Sequence, residues 1–350
     1  FAALGKPGLF FAVVSGPLDS VVLNYTASGK RRQEDLYQPD GAAYFPGSAP
    51  SVSSRVRPDR TVTVFANRIR EAFPGVPVLI GGVEASRRKF AHYDFQQKKI
   101  RRSILLDSRA DLLVTGMGEQ QVVALARAVR DGVALAEVRL PGTAAVVREL
   151  PPDAVLLPAA EAIAAAPERL LEAELAAARA GEKPVAQGHA ERYVLVQPPA
   201  NYSAAELDAT YALPFTRLHP GGEALTPALR MNLFSVTAHR GCGGGCSFCS
   251  ITEHEGRRIV SRSVDGILSE LRSFTAHPHW KGIVSDIGGA SAEMYGADCV
   301  RPCARASCLH PQGCGHFTDG EPYRQLLAAA RALPEIRQIF LGSGLRYDVL

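Results

Sequence analysis

The sequence predicts an α/β protein in two domains. A doubly wound parallel sheet covers residues 1–150. The first part of a β/α barrel covers 231–350 and is cut off before the barrel could close. Three observations lead there. Short apolar runs of strand length alternate with amphipathic helical segments in both regions. An alanine- and proline-rich stretch, 151–230, lies between them and reads as a helical and extended linker. All seven cysteines fall in the second region, from Cys242 to Cys314.

The first domain opens with "LFFAVVS" (9–15), a short apolar run. Residues 59–73 follow as an amphipathic helix, with Val62, Phe65, Ala66, Ile69 and Phe73 on one face at helical spacing. "VPVLIGG" (76–82) is a β-branched run stopped by two glycines. "DLLVTGMGE" (111–119) repeats the form, and "QQVVALARAVRDG" adds a helix ended by Gly132. Buried strands joined by helices form parallel sheets and bind ligands at their carboxyl edge. Gly81, Gly82, Gly116, Gly118 and Glu119 sit at that edge, where tight strand-to-helix turns account for them. The sheet is like the cobalamin-binding form of this architecture. The Asp-x-His-x-x-Gly of that form has no match here, so bound cobalamin is not expected. A single G-x-G is too weak a signal for a nucleotide site.

Residues 41–58 are rich in Gly, Ser, Ala and Pro and read as a surface loop. The 11 alanines of 159–180 predict helix, interrupted near Pro167. The scattered prolines of 184–230 predict extended chain.

Composition excludes several classes. Hydrophobic residues make up 46% and charged residues 21%, an ordinary globular balance. No apolar run reaches the roughly 18–20 residues of a membrane span. A formal charge of +4 over 350 residues gives no strong bias toward nucleic acid. Basic clusters at Lys30-Arg31-Arg32, Arg87-Arg88-Lys89 and Lys98–Arg102 leave an anionic or RNA substrate as the minority reading beside solvated surface. Cysteines confined to one third of a long chain favour metal or cluster ligation in a reducing compartment, hence the cytoplasm, over a secreted disulfide scaffold. The chain starts with Phe and ends in "IFLGSGLRYDVL", a strand and its loop, so it is expected to be a piece of something longer.

The second domain reads as strand 233–241, helix 263–274, strand 282–289, helix 323–333 and strand 336–344. Ser263 is the expected N-cap of the first helix, whose apolar face is Val264, Ile267, Leu268, Leu271 and Phe274. In such a barrel the loop after the first strand lies on the face that carries chemistry. That loop is "RGCGGGCSFCSITEHEG" (240–256), with the spacing Cys242-x3-Cys246-x2-Cys249. A cubic iron–sulfur cluster has four irons and takes four thiolates; three leave one iron with an open position. Gly243, Gly244 and Gly245 let the chain wrap closely, with N–H groups free to face the sulfurs.

This spacing resembles the radical S-adenosylmethionine (SAM) superfamily, and Phe248 matches the aromatic common before the third cysteine. "HRGCGGGCSFCSITEHEGRRIVSRS", "VLIGGVEASRRKFAHYDF", "RRSILLDSRADLLVTGMGE" and "GLRYD" together resemble the YgiQ family of radical SAM proteins over nearly the whole chain. The family usually has Phe or another bulky residue where this chain has Gly243. The resemblance implies that Cys242, Cys246 and Cys249 hold a [4Fe-4S] cluster. It implies that SAM chelates the fourth iron and that one electron from a flavodoxin or ferredoxin type of reductant cleaves its S–C5′ bond. The resulting 5′-deoxyadenosyl radical takes hydrogen from a substrate the sequence does not name. It places Gly288 and Gly289 at the methionine amino group of SAM, and Ser343 and Arg346 at ribose or carboxylate contacts.

Cys299, Cys303, Cys308 and Cys314, spaced x3, x4 and x5, are candidate ligands of a second cluster or of zinc, with His310 and His316 as spares. Those gaps match no standard zinc spacing. His239 and Arg240 flank the first loop as candidate partners of a carboxylate or of the cluster's charge. Glu253, His254 and Glu255 read as mixed-charge surface, and Arg262 and Asp265 as anchors of the helix. The competing function class is a zinc-stabilised binder of nucleic acid or protein without redox catalysis.

Overall fold

The computed structural model describes residues 1–51, 53–218, 225–299, 307–309, 313–315, 317 and 320–346. It divides into two compact units. The first is Phe1–Asp35 with Ala42–Ala200, and the second is Leu36–Gly41 with Asn201–Leu350.

The first unit contains, in chain order, β1 (Phe11–Val14), α1 (Ser20–Asn24), α2 (Thr61–Ala72), β2 (Val78–Gly81), α3 (Gly82–Arg87), β3 (His92–Asp94), β4 (Lys99–Arg101), α4 (Ile104–Ser108), β5 (Leu112–Val114), α5 (Glu119–Arg130), β6 (Thr143–Val147), β7 (Val155–Leu157), α6 (Ala160–Ala165), α7 (Arg169–Arg179), β8 (Val185–His189) and β9 (Arg192–Val196). Seven strands form one sheet in the order β1-β2-β5-β6-β9-β8-β7. Side chains alternate across it, so β2 feeds two cores. Val78 and Ile80 pack with Val62, Ala66 and Ile69 of α2 and Ile104 and Leu105 of α4. Leu79 packs on the other side with Leu125 of α5 and Leu112 of β5.

Two expectations are corrected here. The sheet is mixed rather than doubly wound and parallel: β1, β2 and β5 run parallel, but β5–β6, β6–β9 and β9–β8 are antiparallel. Residues 151–200 are not linker, because they supply β7, β8 and β9. The cause is a two-residue hairpin at Ala190–Glu191, closed by the His189–Arg192 pair. A tight hairpin forces its strands antiparallel. Ala190 takes the left-handed conformation, φ 53°, without the Asn-Gly signature of such turns. Its N–H donates to Glu161 Oε1 at 3.0 Å, which holds the turn.

The second unit contains α8 (Ala204–Tyr211), α9 (Pro227–Asn232), β10 (Ser235–Thr237), β11 (His239–Arg240), α10 (Ile251–His254), β12 (Val260–Ser261), α11 (Val264–Ser273), β13 (Ile283–Val284), β14 (Asp286–Gly288), α12 (Glu321–Arg331) and β15 (Gln338–Ile339). Each helix start has a local reason. Ser203 and Glu206 form a capping box on α8, Thr226 caps α9 ahead of Pro227, and Ser263 caps α11 by accepting from Gly266 N–H. β10 pairs parallel with β14, and β13 pairs parallel with β15. β13 and β14 are one strand path broken at Ser285, whose N–H donates to Phe234 O at 3.1 Å. The result is strand, helix, strand, helix, strand with parallel pairing, while β11 and β12 form a separate antiparallel pair.

Ile267, Leu271 and Phe274 of the first crossover helix and Tyr323, Leu326 and Ala330 of the second bury against Val236, Val284 and Ile287. Each large apolar side chain buried here contributes about 1.5–3 kcal/mol. Val264, expected on the apolar face, is exposed. Because the strands are parallel, the chain leaves β10, β14 and β15 at one edge. The loops that begin at Gly241, Gly289 and Gly342 therefore meet there.

Candidate metal centre

The first loop brings the cysteines together. Gly244 N–H donates to Cys242 Sγ at 3.4 Å. A methyl group on Gly244 would lie 3.4 Å from Cys242 Sγ, 3.5 Å from Cys246 Sγ and 3.2 Å from Arg346 Nη1. Two sulfurs and a guanidinium thus surround one glycine. Cys249 N–H donates to Cys246 O at 3.1 Å, which folds the third cysteine back on the second. Burial pushes the Cys242 thiol up. The Gly244 N–H and the Arg346 charge oppose that shift, and Cys249 and Cys246 add to it, so all three thiols lie within electrostatic reach. The loop is anchored from behind: Cys242 N–H donates to Gly256 O at 3.1 Å and Gly241 N–H to Glu255 Oε2 at 3.3 Å. Burial raises the Glu255 carboxyl, so this residue, read from sequence as surface, is a packed anchor.

The second loop begins with the glycine pair, and both glycines have close neighbours. A Cβ on Gly288 would run into Ser343 Oγ, and one on Gly289 would lie 2.5–2.6 Å from the His239 ring. His239 is fully buried, neither ring nitrogen has a partner among the described residues, and burial lowers its pKa to about 4. It is a neutral imidazole against the glycines, not a cation for a carboxylate. Arg240 is also used within the fold. Its guanidinium donates to Tyr211 Oη at 3.2 Å and lies over the Tyr202 and Tyr211 rings. Arg262 anchors α11 as expected, pairing with Asp208 at 3.3 Å and with Glu270.

The third loop carries Ser343 and Arg346, both held by acids that the sequence reading did not assign. Asp286 accepts from Gly342 N–H at 2.8 Å, from Ser343 N–H at 3.2 Å and from the Ser343 hydroxyl. Glu293 Oε1 accepts from Arg346 N–H and from Ser291 Oγ–H, both at 2.7 Å. Arg346 Nη1 donates to Cys246 Sγ at 3.2 Å. Phe248 is 91% exposed and packs into nothing described.

The second cysteine run leans on the first. Cys308 N–H donates to Gly243 O at 2.8 Å, and Ser307 Oγ–H donates to Gly244 O at 2.9 Å. A Cβ on Gly243 would lie 2.9 Å from both Cβ and Sγ of Cys308. That contact explains glycine at a position where a bulky residue is usual: the Cys308 side chain fills the space. Cys299 packs beside Cys242 against Ile259, Met294 and Ala297, and Cys314 N–H donates to Cys308 O at 2.7 Å. Cys303, His310 and His316 lie outside the described residues. Among the described residues, no three His, Cys, Asp or Glu side chains converge on a single-ion position. Zinc needs its ligands at about 2.0–2.3 Å from one centre. A cubic cluster attaches each thiolate to a different iron and so suits a wider trio.

In the first unit the basic clusters are partly spent internally. Arg88 pairs with Asp19, and Arg101 and Arg102 pair with Asp107. Among the described residues, no helix is long and apolar enough to cross a membrane.

Residues 1–235 match the Radical SAM N-terminal family. A UPF0313 protein of Geobacter sulfurreducens is 44% identical over 100% of this chain and 59% of its own length. Relatives of the same description from Methanocella arvoryzae and Clostridium botulinum are each 40% identical over the whole chain and cover 59% and 56% of their own lengths. The chain therefore spans somewhat over half the length of the curated relatives it matches. Among solved structures, the radical SAM methyltransferase TsrM of Kitasatospora setae, with cobalamin and a [4Fe-4S] cluster bound, has a TM-score of 0.40 and 15% identity. The likeness covers 83% of this chain and 39% of that one, and it is too weak to carry an argument. On a match spanning most of its length, the chain belongs to the Radical SAM N-terminal family, and it is similar to the UPF0313 proteins.

Proposed function

We propose that this chain is the cluster-bearing part of a radical SAM enzyme. Cys242, Cys246 and Cys249 are the ligands of a [4Fe-4S] cluster in that reading. One observation carries it: Cys242 Sγ and Cys246 Sγ lie around a single glycine, on a loop that Cys249 folds back into. The trio offers three thiolates, which leaves one iron open.

When bound, the cluster supplies one electron to the sulfonium of SAM, which breaks the S–C5′ bond to give methionine and a 5′-deoxyadenosyl radical that takes a hydrogen atom from the substrate. The residues of the chain position and shield. The Gly244 N–H and the Arg346 guanidinium hold sulfur. Gly288 and Gly289 give a close backbone approach at the same edge, backed by Ser343 and His239. Ser343 spends its hydroxyl proton on Asp286, which leaves its oxygen to accept from a ribose hydroxyl. The reading requires a one-electron donor of flavodoxin or ferredoxin type. Cobalamin has no part in it, because the Asp-x-His-x-x-Gly motif is lacking.

The test is anaerobic reconstitution of the full chain with iron and sulfide, followed by reduction with dithionite in the presence of SAM. The wild type is expected to turn brown and form 5′-deoxyadenosine. Cys246→Ala is expected to lose the cluster and the product together. A variant that keeps full iron content would remove Cys246 from the ligand set, and a loaded wild type that leaves SAM intact would end the enzyme reading.

A further inference from the structure

The guanidinium of Arg346 donates to one of the three thiols, and the residues that position it are themselves fixed. We infer that Arg346 is the residue that sets the reduction potential of the cluster site, by donating to the Cys246 sulfur, and that Glu293 is the positioning residue that keeps it there. This rests on the cluster reading above and deepens it.

Several observations meet on this pair. Arg346 Nη1 is 3.2 Å from Cys246 Sγ with donor geometry. The same nitrogen is 3.2 Å from where a Gly244 side chain would begin, so the guanidinium lies against the ligand loop and any larger residue at 244 would displace it. The backbone behind it is clamped twice. Glu293 Oε1 accepts from Arg346 N–H at 2.7 Å, and Ala292 N–H donates to Gly344 O at 3.2 Å. Asp286 fixes the start of the same loop through Gly342 and Ser343. Glu293 is 3% exposed and is itself oriented by Ser291 Oγ at 2.7 Å. Glu293, a buried acid, accepts from a backbone N–H far along the chain, and that N–H belongs to the residue that touches the ligand sulfur. The span is 53 residues.

The chemistry follows from charge. Reduction adds one electron to a cluster that its thiolates already make negative. A fixed positive charge donating a hydrogen bond to one of those sulfurs stabilises the reduced state more than the oxidised one. Arginine suits this role because it stays protonated and its planar fork points in a set direction. The family resemblance gives Arg346 a ribose or carboxylate contact; in this structure its Nη1 donates to the Cys246 sulfur.

The test is the midpoint potential of the reconstituted full chain, measured by spectroelectrochemical titration, with iron and sulfide counted per chain in each sample. Arg346→Gln is expected to keep the cluster and shift the potential to a more negative value. Arg346→Lys, which keeps a charge, is expected to restore part of the shift. Glu293→Ala is expected to move the potential in the same direction as Arg346→Gln but less. A purely structural role for either residue would lower cluster yield or solubility and leave the potential of the loaded fraction unchanged. Loaded Arg346→Gln at the wild-type potential overturns the inference while leaving the cluster reading intact. A wild type that takes up no cluster overturns both.

Discussion

Two parallel strands of this chain end in Ile-Gly-Gly, and each is followed within a few residues by a buried glutamate, yet the two ends are finished differently. After Ile80-Gly81-Gly82, Glu84 is completely buried and both its oxygens are used. Oε2 accepts from Ser20 N–H at 3.2 Å and from the Ser20 hydroxyl, and Oε1 accepts from Val62 N–H at 3.0 Å. That carboxylate ties the first turns of α1 and α2 to the sheet edge. After Ile287-Gly288-Gly289, Glu293 uses one oxygen, while the other has no partner among the described residues. The His239 ring beside Gly289 has none on either nitrogen. Polar groups buried without partners cost stability, and a bound group that pairs with them recovers that cost. The first edge is closed and structural. The second is the one that a cofactor and cosubstrate would complete.

The comparison breaks most readily at Glu84. Glu84→Ala strands three donors in the interior and is expected to cost about 4 kcal/mol in urea unfolding of the full chain, since removing one partner of a buried charged network leaves the rest unpaired. Iron content per folded chain should not change. An unfolding midpoint equal to wild type would show that the first edge is not held as described. A smaller effect sharpens the second edge. The folded His239 titrates near 4, below its ordinary value of 6.5, because burial disfavours the charged ring. As pH falls through 6.5 the unfolded chain takes the proton and the folded chain does not. The stability contributed by the neutral ring is therefore complete above 6.5 and declines toward 4. Between pH 7 and pH 5 the loss is about 2 kcal/mol for this ring. His239→Asn should remove that share and leave the shares of His92 and His189, which burial also lowers to about 4 in the first unit. If the variant and the wild type lose stability in parallel, His239 is solvated and the second edge is not dry.

What could be read from the residues follows their range of interaction. Helices α2 and α11 were legible because periodicity and capping are local: Val62, Ala66 and Ile69 fall on one buried face, and Ser263 caps where expected. The cysteine trio was legible because its members lie within eight positions. The β8–β9 hairpin was not. Its turn uses Ala190 at positive φ, a residue that carries no turn signal, and flanking prolines suggested extended chain. The acidic clamp was not legible either, because Asp286 and Glu293 meet residues 53 or more positions later, and no local pattern marks such a meeting. Family resemblance pointed to Ser343 and Arg346, but their partners, Asp286 and Cys246, are visible only in three dimensions.

The account rests on three thiolates leaving one iron of a cube open at the second edge. The most direct measurement is the Mössbauer spectrum of the full chain reconstituted with 57Fe, recorded before and after addition of SAM. The account predicts that one iron in four changes its isomer shift on addition while the other three keep theirs. Four irons that remain equivalent with SAM present would contradict it.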